Sequence, residues 1–204
     1  MLRPLFAALL LVTFSTASFA ADVSKDPASA PGGTYKLETE HSLVLFSVLH
    51  MGLTNYYGRF DKLQGSLSFD GDTPEKSATT ITIDTNSVDT PSARLNDILK
   101  DDSVFSTAQY PIATFKSSTI TRTGPDTGRI EGILTMKGVT KPVTLDVVFH
   151  GGGSNPVNGN YALGFHATTT IKRSDFDMTS AIWSPFVSDT VTLTIEAMFE
   201  QEKN

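Results

Sequence analysis

Val191-Thr192-Leu193-Thr194-Ile195-Glu196-Ala197-Met198-Phe199 places an apolar side chain at every second position from Val191. Thr192, Thr194 and Glu196 fall between them. An extended chain turns successive side chains to opposite faces, so this segment has a core face and a water face. The same alternation runs through Val143, Leu145, Val147 and Phe149, with Thr144 and Asp146 between them. It recurs in Tyr161, Leu163, Phe165 and Ala167, in Leu63, Leu67 and Phe69, and in Ile81 with Ile83. Thr, Val, Ile and Phe dominate these runs, and they suit a pleated, half-buried surface. Turn-forming clusters separate the runs: Asp70-Gly71-Asp72, Gly124-Pro125-Asp126, Lys137-Gly138 and Gly151-Gly152-Gly153-Ser154-Asn155-Pro156. The pattern predicts about eight strands at near-regular spacing, an all-β sandwich or barrel.

The first strand, Glu40 to His50, is apolar on both faces, which predicts cover on both sides. One segment leaves the strand period. Thr90-Pro91 reads as an N-cap followed by Pro at the first helical position. Leu95, Ile98 and Leu99 then fall on one face of a short helix, which has to cover something apolar, such as the open end of a barrel.

The 204 residues divide into three parts. Residues 1–20 have the layout of a secretory signal: a basic start, an apolar run from Leu5 to Phe14 too short to span a bilayer, and small residues before a cut after Ala20. Residues 21–33, rich in Pro, Ser, Ala and Gly, read as a flexible linker. Residues 34–202 make one domain, within the length prior of about 100–200 residues. Export and the absence of Cys together suit a bacterial periplasm, and no thiolate chemistry or zinc–thiolate site is available. The net charge of −6, with no Lys/Arg cluster, disfavours nucleic acid and anionic membrane surfaces as partners.

Catalytic signatures are missing. The chain has no Gly-x-Ser-x-Gly elbow, no His-Glu-x-x-His, no phosphate loop and no dinucleotide fingerprint. His41 and His50 are nine residues apart, an odd separation that sends them to opposite faces of an unbroken strand. His150 and His166 lie on the water-facing parity of their strands. No metal and no cofactor is expected.

Gly132-Ile133-Leu134-Thr135-Met136-Lys137-Gly138-Val139-Thr140-Lys141-Pro142-Val143-Thr144-Leu145 reads as a tight hairpin, with Gly138 able to supply a positive φ. This run resembles the signature of the YceI-like family of polyisoprenoid-binding, lipocalin-like proteins. Further landmarks follow in family order: Tyr35 to His50, Gly58-Arg59-Phe60, Gly65-Ser66-Leu67-Ser68-Phe69-Asp70, Phe105 with Tyr110 to Phe115, and Arg173-Ser174-Asp175-Phe176. Three positions depart from the family pattern. Glu40 stands for an Asp, Ile98 for a His, and Asp177 for a Gly that would set a turn.

The resemblance implies an extended eight-stranded antiparallel lipocalin-like barrel, with a short helix inserted between strands and a long-chain isoprenoid or similar apolar lipid in its lumen. It implies a periplasmic carrier, not an enzyme, with no stable membrane insertion. A homodimer is left open. For the lumen we expect Phe46, Val48 and His50 from one face of the first strand, with Phe60, Phe69, Phe115 and Phe165. Leu95, Ile98 and Leu99 of the helix, with Trp183 and Phe186, are expected to close the ends, and Phe176 is expected to contact the ligand. Arg173 is expected at the ligand. The alternative is an enzyme acting on a lipid inside the barrel, for which His50 with Arg173 is the best available titratable pair. An outer-membrane barrel fits poorly, because Asp146, Thr192, Thr194 and Glu196 occupy the outward parity.

Overall fold

The computed structural model describes residues 22–202, so the expected signal segment lies outside the described residues. Ten strand segments form one antiparallel sheet: β1 (Gly33–His50), β2 (Thr54–Phe60), β3 (Leu63–Phe69), β4 (Ala78–Asp84), β5 (Val88–Asp89), β6 (Ile112–Arg122), β7 (Thr127–Met136), β8 (Val139–Ser154), β9 (Tyr161–Lys172) and β10 (Val187–Gln201). β2 and β3 lie end to end along β1, and β4 and β5 lie end to end beside them. The ten segments are therefore eight staves, and pairing of β10 with β1 closes the barrel. β8 has 16 residues, and at about 3.4 Å per residue it is roughly 50 Å long, so the barrel is elongated.

Cross-strand register defines the interior. Val48, Phe46 and Val44 sit opposite Val191, Leu193 and Ile195. Directly opposed residues share a face, so both alternating sets point inward. β1 changes phase midway. Residues 39–42 bulge out of the β1–β10 ladder, Met198 N–H donates to Ser42 Oγ at 3.0 Å, and inward positions shift from Tyr35 and Leu37 to Val44 and Phe46. The shift moves the core-facing parity of β1 from odd to even positions; the apolar outer parity of Glu40–His50 is made by Leu43, Leu45 and Leu49. Leu43 and Leu45 on the outside are only half-buried, and Leu49 is exposed.

The two barrel ends differ. The helix end carries the β1–β2 and β7–β8 turns, the β9–β10 loop, and the segment containing α1 (Ala93–Lys100). The Lys137-Gly138 turn takes φ of 51° and 75°, as a two-residue hairpin requires. The N-cap of α1 is Ser92, which accepts from Leu95 N–H, two positions later than the sequence suggested. Thr90 instead bonds the Ser92 carbonyl and Asn96. No residue of α1 is fully buried, and the plug comes from the coil after it, where Phe105 packs on Phe60 at 5.3 Å.

The opposite end is crossed by residues 22–32, where a flexible linker was expected. The segment is a docked strap. Ser24 and Gly152 exchange backbone hydrogen bonds of 2.9 and 2.8 Å, and Pro27 and Ala30 are buried. The glycine run 151–153, expected as a turn, belongs to β8 and lies under the strap. A Cβ on Gly151 would overlap Val23, and one on Gly153 would lie 2.7 Å from the Asp22 carbonyl oxygen.

Candidate ligand chamber

Inward aliphatic side chains from seven strands converge on a chamber within the barrel. Leu37 and Val44 contribute from β1, Ile81 and Ile83 from β4, and Leu193 and Ile195 from β10. The cavity volume is about 140 Å³, and its exposed wall is hydrocarbon throughout. A second chamber of about 90 Å³ lies toward the strap. Leu67, Ile130, Val147 and Phe165 line both and form the partition.

The expected lumen residues separate into three groups. Phe115 and Phe165 line the first chamber, and Phe69 and Phe165 line the second. Phe46 and Phe60 are buried 5.8 Å apart, but they pack with Phe105 into a plug and touch neither chamber. Val48 and Leu99 pack on the core beside them, Leu95 is half-buried, and Phe176 is fully buried. Trp183 is half-buried, with its Nε1–H donating to Ser103 Oγ at 3.4 Å. His50 and Phe186 are at the surface, where the Phe186 carbonyl accepts from Met51 N–H at 2.7 Å.

Arg173 is committed to the fold. Its guanidinium donates five hydrogen bonds: to the carbonyls of Ser188, Met178, Ser184 and Val187, and to Ser184 Oγ. A guanidinium has five N–H groups, so none remains for a ligand. Its Cζ also lies 4.8 Å from the Trp183 ring centroid. The expected pairing of Arg173 with His50 at a ligand thus has no free donor on the Arg side, and neither residue lines a chamber.

Sequence reasoning missed the aliphatic wall as a binding surface. The signal was the alternation itself, because the strands that define the barrel also supply Leu134, Val143, Leu145 and Leu193 to the chamber. Large rings fill space at the plug and partition, while smaller side chains leave it open.

Polar side chains with shifted titration lie outside the chambers. Burial pushes Tyr35 up to about 12, with Tyr161 nearby adding to it, and the Tyr35 hydroxyl donates to the strap carbonyl of Pro31 at 2.6 Å. The Asn160 amide, followed by those of Asn158 and Asn155, holds Glu200 below the usual carboxylate range. Desolvation of Lys137 lowers its ammonium pKa, and its Nζ donates to the Asp177 carbonyl at 2.9 Å. His150 and His166 stack on the outer face with centroids 5.9 Å apart, and His166 Nδ1 lies 2.7 Å from Glu196.

The model of the YceI-like domain matches residues 35–199, which is the whole barrel apart from its outermost residues. The chain belongs to the YceI-like family. It is 38% identical to "Protein YceI" of Escherichia coli over 172 residues, covering 83% of this chain and 86% of that one. Among solved structures, Burkholderia cenocepacia BcnA superposes with a TM-score of 0.70 at 28% identity, over 77% of this chain and 95% of that one. A polyisoprenoid binding domain from Saccharophagus degradans gives a TM-score of 0.62 at 22% identity, over 82% and 98% of the two chains, a likeness of fold. Against the family pattern, Asp177 takes the left-handed conformation (φ 54°, ψ 25°) in the place of the usual glycine. Asp is among the few side chains that tolerate it.

Proposed function

We propose that this protein is a periplasmic carrier that holds one long-chain isoprenoid or similar apolar lipid in the barrel. The observation that carries this reading is the hydrocarbon wall of the first chamber. A water in such a space would find no hydrogen-bond partner, so the chamber favours an apolar guest. Periplasmic location rests on the signal-like residues 1–20. No helix among the described residues is long and apolar enough to cross a membrane. The Saccharophagus degradans neighbour, a polyisoprenoid binding domain, agrees with this reading.

Magnitudes set the kind of guest. At about 10–15 Å³ per water-sized site, the first chamber takes roughly ten methylene-sized groups. At about 0.8 kcal/mol each these contribute roughly 8 kcal/mol, against an association cost of about 4 or more. The remainder corresponds to only about millimolar binding. A tail that also fills the second chamber buries roughly sixteen groups and gains about 13 kcal/mol gross, enough for about micromolar binding at the low end of the association cost. The guest is therefore a chain long enough to thread both chambers. Titration of delipidated protein with all-trans retinol, an intrinsically fluorescent isoprenoid alcohol, tests this. One saturable equivalent, displaced by farnesol, is expected; failure of both lipids to bind would overturn the reading.

A further inference from the structure

The geometry points to the strap end as the portal, with residues 22–31 as its movable wall and with a rim that suits a single-chain lipid bearing a small uncharged head. This rests on reading the first chamber as the lipid site.

The two ends differ in what must be broken to open them. At the helix end, Phe46, Phe60 and Phe105 pack ring on ring, and Phe176 and Met178 are buried. The five donors of Arg173 tie the β9–β10 loop shut behind them. Neither of the two chambers is lined by these residues. At the strap end the second chamber extends the hydrocarbon path outward, and Pro27 of the strap is part of its wall.

The strap is held by few bonds. Its hydrogen bonds to the barrel are the Ser24–Gly152 pair, the Tyr35 hydroxyl on Pro31 and a long one of 3.5 Å from Gln201 Nε2 to the Gly32 carbonyl. It seats because three glycines under it lack side chains. A Cβ on Gly71 would overlap the Pro27 carbonyl oxygen, as Gly151 and Gly153 would meet Val23 and Asp22. Displacing Pro27 removes one wall of the second chamber without disturbing the eight staves.

The rim opposite the strap is the β6–β7 turn. Arg122 donates from Nε to the Gly124 carbonyl at 2.9 Å and from Nη2 to the Pro125 carbonyl at 2.7 Å, which leaves other guanidinium N–H groups unused. Ser77, Arg122 and Asp126 all reach the second chamber. One cation and one anion at the mouth cancel, so an uncharged head with hydrogen-bond acceptors fits better than a carboxylate or phosphate.

Retinol and retinoic acid share a skeleton and differ in the head; retinol reports binding by its own fluorescence, and retinoic acid by displacing it. Retinol is expected to bind the wild type more tightly than retinoic acid. A preference for the acid that disappears in Arg122→Met would overturn the uncharged head. Gly71→Ala is expected to speed retinol release about tenfold, since affinity differences among variants appear mainly in dissociation. Phe105→Leu, which loosens the opposite plug, should leave release within about twofold of wild type. Amide exchange at Ser24 and Gly152 reports whether the strap has lifted; if both stay protected in Gly71→Ala, Gly71→Trp takes its place. Unchanged release from a variant with a lifted strap, or faster release only in Phe105→Leu, would overturn the portal while leaving the lipid site standing. A wild type that binds neither retinoid would overturn the lipid site, and the portal with it.

Discussion

Ala167 is buried at the chamber wall, opposite Ile195 on β10 and Val147 on β8. Ala167→Phe adds a ring of roughly six carbons to a space of roughly ten methylene-sized groups. At about 24 cal/mol per Å³, an empty cavity of this size costs about 3 kcal/mol. Filling a little over half of it returns roughly 1.5–2 kcal/mol. For a chain of this length that raises Tm by about 3–8 °C. A packed interior responds with the opposite sign, since overpacking costs about 1–3 kcal/mol. Thermal melts of delipidated wild type and variant give the sign, and retinol titration of the same samples should show affinity falling at least about tenfold as the guest's space is lost. A variant that melts lower and binds retinol as before would refute the chamber as an open, lipid-filled space.

Further outcomes follow from the geometry. Val48→Trp, which strand parity alone would expect to block the lumen, should lower the melting temperature by overpacking and leave the lipid load unchanged, because Val48 packs on the core outside both chambers; loss of lipid from a well-folded variant would contradict this. Glu200 is held below its usual range in the folded state, so the stability it contributes is present above its unfolded value of about 4.3 and lost as pH falls through the folded one. Glu200→Gln should therefore flatten the acid limb of the Tm–pH curve, and identical limbs would count against the three-asparagine clamp. Asp177→Gly should raise Tm by about 2–4 °C by relieving roughly 1 kcal/mol of left-handed backbone cost, and a drop would show that the side chain itself stabilises the turn.

The eight staves were legible because alternation and turn chemistry agreed at most strands, as in Val191 to Phe199 and the Lys137-Gly138 hairpin. Long-range packing was not. A bulge at residues 39–42 switches the inward parity of β1, which sequence spacing does not mark, and the outward Leu43, Leu45 and Leu49 suggested a cover although they are half-buried or exposed. Gly151-Gly152-Gly153 looked like a turn because glycine marks turns and close backbone approaches alike, and only the strap's path distinguishes the two. The candidate site was legible in part. Phe69, Phe115 and Phe165 reach the chambers, yet favouring rings hid the aliphatic wall, where smaller side chains leave the space unfilled. Arg173 resembled a ligand-facing residue, but its donors are all spent on the β9–β10 loop and the first residues of β10, a role set by carbonyls that sequence does not display.

The central claim is tested most directly by native mass spectrometry of the protein isolated from the periplasm of its own host, before and after organic extraction. The account expects a polypeptide beginning at Ala21 with one apolar lipid bound, whose mass is lost on extraction and recovered in the organic phase. A barrel that leaves its host at the bare polypeptide mass, and takes up no single-chain lipid afterwards, would contradict it.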